Sequence, residues 1–212
     1  MKNPSVKIGI DTTEKSITAS ISGTALSELK KSLSDLKEID TYLTKINNSN
    51  TMLSKSDLEQ IGTLSLETAD KYGKAASIYL SSVQKAFDSG YKNATDIAEL
   101  SLAAQNAGNL TSDLSDRYIT AMDRAFKMNG SVKEFSETLD GANNITNSNS
   151  VNMTELAEGL SIVSSHAAAT KMNAAETTAV IGTLISTTQN SGSEMGIAFI
   201  DILSNLQKMT GT

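Results

Sequence analysis

Few residues of this chain could perform catalytic chemistry. His166 is the single histidine and there is no cysteine, so these residue types cannot supply the usual set of zinc ligands. A hydrolase in which His166 activates a serine would have to use Ser164 or Ser165, and neither lies in the G-x-S-x-G pattern of a nucleophile elbow. We therefore interpret His166 as a structural residue and expect neither a catalytic site nor a bound metal.

Carboxylates are more numerous, and some occur in close pairs. The pairs are Asp57 with Glu59, Asp113 with Asp116, and Glu134 with Glu137. A glycosidase needs two carboxyl groups that face each other across a cleft. Most of these acids instead fall in the first turns of predicted helices, where a negative charge interacts favourably with the helix dipole. We predict a capping role for them.

The segment from Gly192 to Gly196, G-S-E-M-G, superficially resembles a phosphate-binding loop. Such a loop follows a strand and ends in a lysine that reaches the phosphates, and this segment has neither feature. We interpret it as a corner between two helices, so we expect no nucleotide or other cofactor.

The composition predicts a helical protein with a core of small and aliphatic side chains. Aromatic residues make up 4% of the 212 residues, there is no tryptophan, and Pro4 is the only proline, so no later proline interrupts a helix. A net charge of -6 argues against a nucleic-acid partner, which would bind a basic face. No apolar run approaches the roughly 18 residues that a membrane-spanning helix needs. We expect no membrane segment.

Three amphipathic helices are predicted at the C-terminal end, over residues 153–170, 174–189 and 194–209. Each is preceded by a short polar residue with a glutamate three positions further on, which is the pattern of a capping box. These pairs are Asn152 with Glu155, Asn173 with Glu176, and Ser191 with Glu194. The last helix is apolar on two sides, which predicts either burial all round or a protein partner.

The middle of the chain is predicted to fold into five short helices, at 57–72, 76–88, 95–106, 112–128 and 132–141. A capping box from Ser56 to Glu59 opens the first, and Thr111 and Ser131 open the last two. The stretch 143–152, rich in Asn and Ser, is predicted to be an exposed turn. Together with the C-terminal helices, these elements form a predicted helical domain over residues 57–212.

The N-terminal part differs from the rest. Alternating apolar residues predict two strands, and so a small β arm, over residues 1–23. A helix with an apolar seam follows over residues 24–46, and residues 47–56 are the predicted linker. The seam consists of Leu26, Leu29, Leu33, Leu36, Ile39, Leu43 and Ile46. Its spacing is typical of a coiled coil that joins copies of the chain, and equally of an amphipathic helix packed on its own domain.

The order and spacing of the apolar and small residues in the last part of the chain resemble the core region of phage tail tape measure proteins. The resemblance is carried by the three C-terminal helices and the glycine-serine turn, and it extends back to about Asp57. The matching residues are Leu156, Ala157, Leu160, Ala175, Ile181, Leu184, Gly192, Ser193, Gly196, Ala198, Leu203 and Leu206. One position departs from the family pattern, because Ile200 stands where an arginine is common.

The helix pattern predicts an all-α protein: a bundle of short helices with a coiled-coil-like helix at the N-terminus. The resemblance implies a structural and assembly component of a phage or prophage tail, and no enzyme. Proteins of this family lie inside the tail tube and set tail length, so the implied location is the virion tail, after assembly in the host cytoplasm. The implied partners are other, parallel copies of the chain and tail tube, initiator or chaperone proteins. We expect the chain to be the N-terminal piece of a longer protein.

A second class of function fits the same helices. A stand-alone bacterial helical adaptor, or an effector-like bundle, would bind protein partners without any tail. An enzyme is a third class, which the sequence disfavours because no set of catalytic residues comes together in it.

Overall fold

A computed structural model describes residues 23–210 of the chain. Every regular element in that range is an α-helix, so the all-α fold expected from the sequence is confirmed. The nine helices of this range are α1 (Gly23–Ser49), α2 (Lys55–Tyr72), α3 (Ala76–Asp88), α4 (Ala94–Gly108), α5 (Ser112–Phe126), α6 (Val132–Ser148), α7 (Met153–Ala169), α8 (Ala174–Thr188) and α9 (Gly192–Thr210). None of these helices has the length and apolar character needed to cross a membrane. The β arm predicted for residues 1–23 lies outside the described residues, apart from Gly23 at the start of α1.

Most helices begin at the polar residues that the sequence indicates. Thr111, Ser131, Asn152 and Asn173 each accept a hydrogen bond from the backbone N–H three residues further along. The hydroxyl of Ser191 accepts such a bond at 3.3 Å and caps α9 in the same way. Each cap satisfies one N–H group that has no partner within its helix, and stabilises the helix by about 1 kcal/mol. These predicted starts are confirmed.

The start of α2 differs from the prediction. The cap is Ser54, not Ser56: its hydroxyl accepts the backbone N–H of Asp57 at 3.2 Å, and the Asp57 carboxylate accepts the backbone N–H of Ser54 at 2.8 Å. With this cap, Leu53 and Leu58 occupy the two positions of a hydrophobic staple, and both pack against the core. A cap at Ser56 would put polar residues at both positions, so packing decides between two capping patterns that look alike in the sequence.

The end of α6 also differs from the prediction, because the helix continues to Ser148 through the stretch that was predicted to be an exposed turn. Ala142, directly before that stretch, is fully buried. Ile145 packs against α8 at Gly182, where a Cβ atom would lie 2.5 Å from the Ile145 side chain. Asparagine costs a helix less than about 1 kcal/mol per residue relative to alanine, so burial of these apolar groups outweighs the local preference for a turn.

Helix α7 is at the centre of the packing. It contacts α5, α6, α8 and α9, while α5 in turn contacts α3 and α4, and α1 and α2 pack against α3. One face of α7 is completely buried and consists of Leu156, Ala157, Leu160, Val163 and Ala167. This face is built from aliphatic and small side chains, as the scarcity of aromatic residues predicts. Small side chains let neighbouring helices approach closely.

The closest approach is between α7 and the start of α9, and it depends on glycine. A Cβ atom on Gly192 would overlap the carbonyl oxygen of Glu155, and one on Gly196 would lie 2.9 Å from the carbonyl oxygen of Gly159. A Cβ atom on Gly159 would in turn lie 2.9 Å from the carbonyl oxygen of Gly192. Because each of these carbonyl oxygens belongs to the backbone, no side-chain rotation can make room, and the two helices pack backbone against backbone only if all three positions are glycine.

We predict that Gly192→Ala lowers the free energy of unfolding by about 1–3 kcal/mol, because α9 must move away from α7. The matched control is Gly141→Ala in the interior of α6, where a Cβ atom would meet nothing within 4 Å. There, alanine should raise stability by up to about 1 kcal/mol through its higher helix propensity. Urea denaturation followed by circular dichroism measures both effects, and equal stability of Gly192→Ala and the unmodified chain would contradict the close crossing.

Candidate interaction surfaces

The residues that could do chemistry are dispersed over the fold. His166 lies exposed on α7, and within residues 23–210 no three His, Asp or Glu side chains are arranged to hold a metal ion. Of the six paired acids, Asp57, Asp113 and Glu134 occupy the first turns of α2, α5 and α6, as predicted, whereas Glu59, Asp116 and Glu137 lie beyond the first turns. The fold instead exposes apolar side chains, a kind of surface suited to binding another protein.

The apolar seam of α1 is divided between the body and solvent. The residues that pack against the core are Ile39, Leu43 and Ile46. Leu29, Leu33 and Leu36 are instead 50%, 52% and 57% exposed, and we call these three residues the leucine stripe. Leu26 belongs to the same helix, at a position where the structure does not describe side chains. Packing on its own domain therefore accounts for the C-terminal half of the seam, and a coiled coil stays a prediction for the other half.

Helix α9 has both buried and exposed apolar residues. The buried residues are Met195, Phe199 and Leu203. The exposed ones are Ile197, Ile202, Leu206 and Met209, with exposed fractions of 56%, 46%, 50% and 83%. At 3.6 residues per turn, Ile197 lies opposite the buried residues, whereas the other three lie on the same side of the helix as the buried residues. Burial therefore accounts for only part of the apolar surface of this helix.

The residues that carry the family resemblance come together where α7, α8 and α9 pack. The buried ones are Leu156, Ala157, Leu160, Ile181, Gly192, Gly196 and Leu203. The half-buried ones are Leu184, Ser193 and Ala198, and Ala175 and Leu206 are exposed. Most of these residues form the contact between the helices, so their role in this structure is to hold the α7–α9 crossing in place.

Two carboxylates of α7 hold the start of α9. Glu155 accepts a hydrogen bond from the backbone N–H of Gly192, and Glu158 accepts one from the hydroxyl of Ser193 at 3.2 Å. The sequence predicted that Glu155 would close a capping box with Asn152. The Asn152 side chain does cap the N–H of Glu155 at 2.8 Å, but the carboxylate turns to a partner 37 positions away. Negative charge at this place also interacts favourably with the positive end of the α9 dipole.

A polar cluster that the sequence analysis missed joins α3, α4 and α5. Asp116 on α5 accepts hydrogen bonds from the hydroxyls of Ser82 at 3.0 Å and Ser101 at 2.6 Å, and from the amine of Lys85 at 3.0 Å. Burial by itself lowers the pKa of Lys85, but the hydrogen bonds and charges of Asp116 and Asp113 outweigh it and raise the pKa above its ordinary value. Lys85 therefore stays charged at neutral pH, and its attraction to Asp116 links α3 to α5.

An open groove of about 700 Å³ lies between α6 and α8, next to the C-terminal ends of α5 and α7. Phe126, Ile145 and Met172 are among its apolar lining residues. Its charged lining residues are Lys127, Glu134 and Glu137. Gly141 also lines this surface, which we call the α6–α8 groove, and a Cβ atom there would meet nothing within 4 Å. The groove combines an apolar floor with more carboxylates than cations.

The chain is similar to a known family. A family model described as phage-related minor tail protein matches residues 64–212, which includes the second half of α2 and all of α3 to α9. No curated protein and no solved structure matches the chain.

The polar cluster gives a prediction about stability. Asp116→Ala should lower the free energy of unfolding by about 1–3 kcal/mol, because it removes the acceptor that the hydroxyls of Ser82 and Ser101 and the amine of Lys85 share. The matched control is Asp113→Ala, whose side chain is 73% exposed, and which should change stability by less than about 0.5 kcal/mol. Thermal or urea denaturation of the two variants measures the difference, and equal effects would contradict the central position of Asp116.

Proposed function

Since the chain belongs to the family of phage-related minor tail proteins, we propose that it is part of the tape measure protein, which sets tail length and is held in the tail tube. The family match is the observation that carries the proposal, since it supports a structural role in a phage tail. The finer assignment is supported by the tape-measure-like residues of α7, α8 and α9, most of which pack together. The tail tube and the initiator or chaperone proteins of tail assembly are the proposed partners.

The resemblance to tape measure proteins implies parallel copies of the chain as partners, so the proposal includes association between copies. The leucine stripe of α1 is suited to this role. Its three leucines project about half of their surface into solvent, while the same helix is anchored to the body by Ile46, which is fully buried. Burying apolar surface in a contact between copies would contribute about 25 cal/mol for each Å² removed from water.

We predict that the double variant Leu29→Asp with Leu36→Asp loses self-association, because two charges would have to be buried in the contact. The fold should be retained, since both positions are at least half exposed. A matched control replaces two exposed apolar residues outside the stripe, Leu66→Asp with Met52→Asp, which are 55% and 93% exposed. Light scattering over a range of concentrations gives the solution mass. If the stripe variant and the control have the same mass, the stripe is not the contact.

The tail role itself is tested in phage particles. Deleting the gene for this chain should abolish tails of defined length, and the chain should be detected by mass spectrometry in purified intact particles. A stand-alone adaptor would be missing from the particles and dispensable for them. Electron microscopy of particles from the deletion strain decides between these functions, and a normal distribution of tail lengths would refute the proposal.

A further inference from the structure

We propose that the α6–α8 groove is the surface on which self-association takes place, and that it receives the leucine stripe of a second copy of this chain. The inference rests on the proposed function to the extent that both require copies of the chain to associate. It goes further by naming the receiving surface, and so the geometry of the assembly.

The leucine stripe is short enough to lie within the length of the α6–α8 groove. From Glu134 to Ile145 the groove follows α6 for about 16 Å, whereas the stripe from Leu29 to Leu36 covers about 10 Å of α1. The stripe therefore fits within the groove along its length. Pairing one stripe with another stripe would bury a single heptad, and a coiled coil is normally recognised by three or four. A groove between helices surrounds the leucines with more apolar surface than a second exposed helix can.

The charges beside the two surfaces are also complementary. At 3.6 residues per turn, Lys30 and Lys37 lie on one flank of the leucine stripe, next to the positions of the three leucines. Glu134 and Glu137 line the groove, so a docked stripe can place its lysines beside carboxylates. Lys127, the lining cation, has an acidic counterpart as well, because the opposite flank of the stripe carries Glu28 and Asp35. Complementary charges set the orientation in which two surfaces meet.

The two surfaces belong to different parts of the fold. The stripe is on α1, which packs against α2 and α3, whereas the groove is formed by α5, α6, α7 and α8. One copy can therefore offer its stripe to the next copy while its own groove receives the stripe of another. Such a head-to-tail contact generates a ring if the rotation between copies closes, and an open chain if it does not. Pairing of stripe with stripe would instead give a closed, symmetric assembly.

Cysteine cross-linking tests the inference without background, because the chain contains no cysteine. One preparation carries Leu33→Cys in the stripe and a second carries Gly141→Cys in the groove, where a side chain has free space. Under mild oxidation the mixture should yield a disulfide-linked pair of chains, since docking brings the two thiols within bonding distance. A control mixture of Leu33→Cys with Leu66→Cys should yield none, because Leu66 is exposed on α2, away from the groove.

The charges give a second measurement. Lys30→Glu with Lys37→Glu, introduced into the Leu33→Cys chain, should reduce the cross-link. Glu134→Lys with Glu137→Lys in the Gly141→Cys chain should restore it. If the combined variants form the cross-link again, both chains must be folded. The loss in the lysine variant alone is then due to the reversed charges and not to misfolding.

The other results of the cross-linking experiment each refute a specific part of the proposal. If the Leu33→Cys chain cross-links with itself and the mixture does not, the stripe pairs with another stripe; the groove is then refuted while self-association stands. If light scattering shows a monomer at every concentration and no cross-link forms, the inference and the proposed self-association are both refuted, and the tail role is still decided by the phage particles.

Discussion

The structure depends on a contact between two backbones, where α9 crosses α7. Glycine at 159, 192 and 196 removes the side chains that would hold the two helices apart, and Glu155 then accepts a hydrogen bond from the first N–H of α9. The rest of the C-terminal half is arranged around this crossing, because α7 also contacts α5, α6 and α8. Most of the residues that carry the resemblance to tape measure proteins lie here, which gives that pattern a physical meaning: small residues are needed where helices touch.

Apolar side chains are also left on the surface. Most of the large exposed ones lie on the two longest helices, α1 and α9. Single exposed apolar residues are common in soluble proteins, but a row of them on one helix face marks a contact with another protein. This is the property expected of a protein that functions inside an assembly.

Charged groups complement the apolar packing at two places. Asp116 is the acceptor for three donors on α3 and α4, and it connects the N-terminal helices to α5, which packs on α7. The carboxylates of α7 connect the same helix to α9. A buried acceptor whose donors come from separate helices specifies how those helices are arranged, because an alternative arrangement would leave the charge without partners.

The sequence by itself determined the all-α class, the relation to phage tail proteins and most helix starts. The helix starts were visible as local patterns because caps such as Thr111 and Asn173 act within one turn. The sequence also predicted part of the candidate interaction surface, because the spacing of its leucines identifies the apolar seam of α1. Only the tertiary structure decided that this seam divides after Leu36, that α6 continues through its asparagines and that Glu155 binds Gly192. The α6–α8 groove likewise had no signal in the sequence. The physical reason is distance along the chain: these features depend on contacts between helices that are far apart in sequence, and burial there outweighs local preferences.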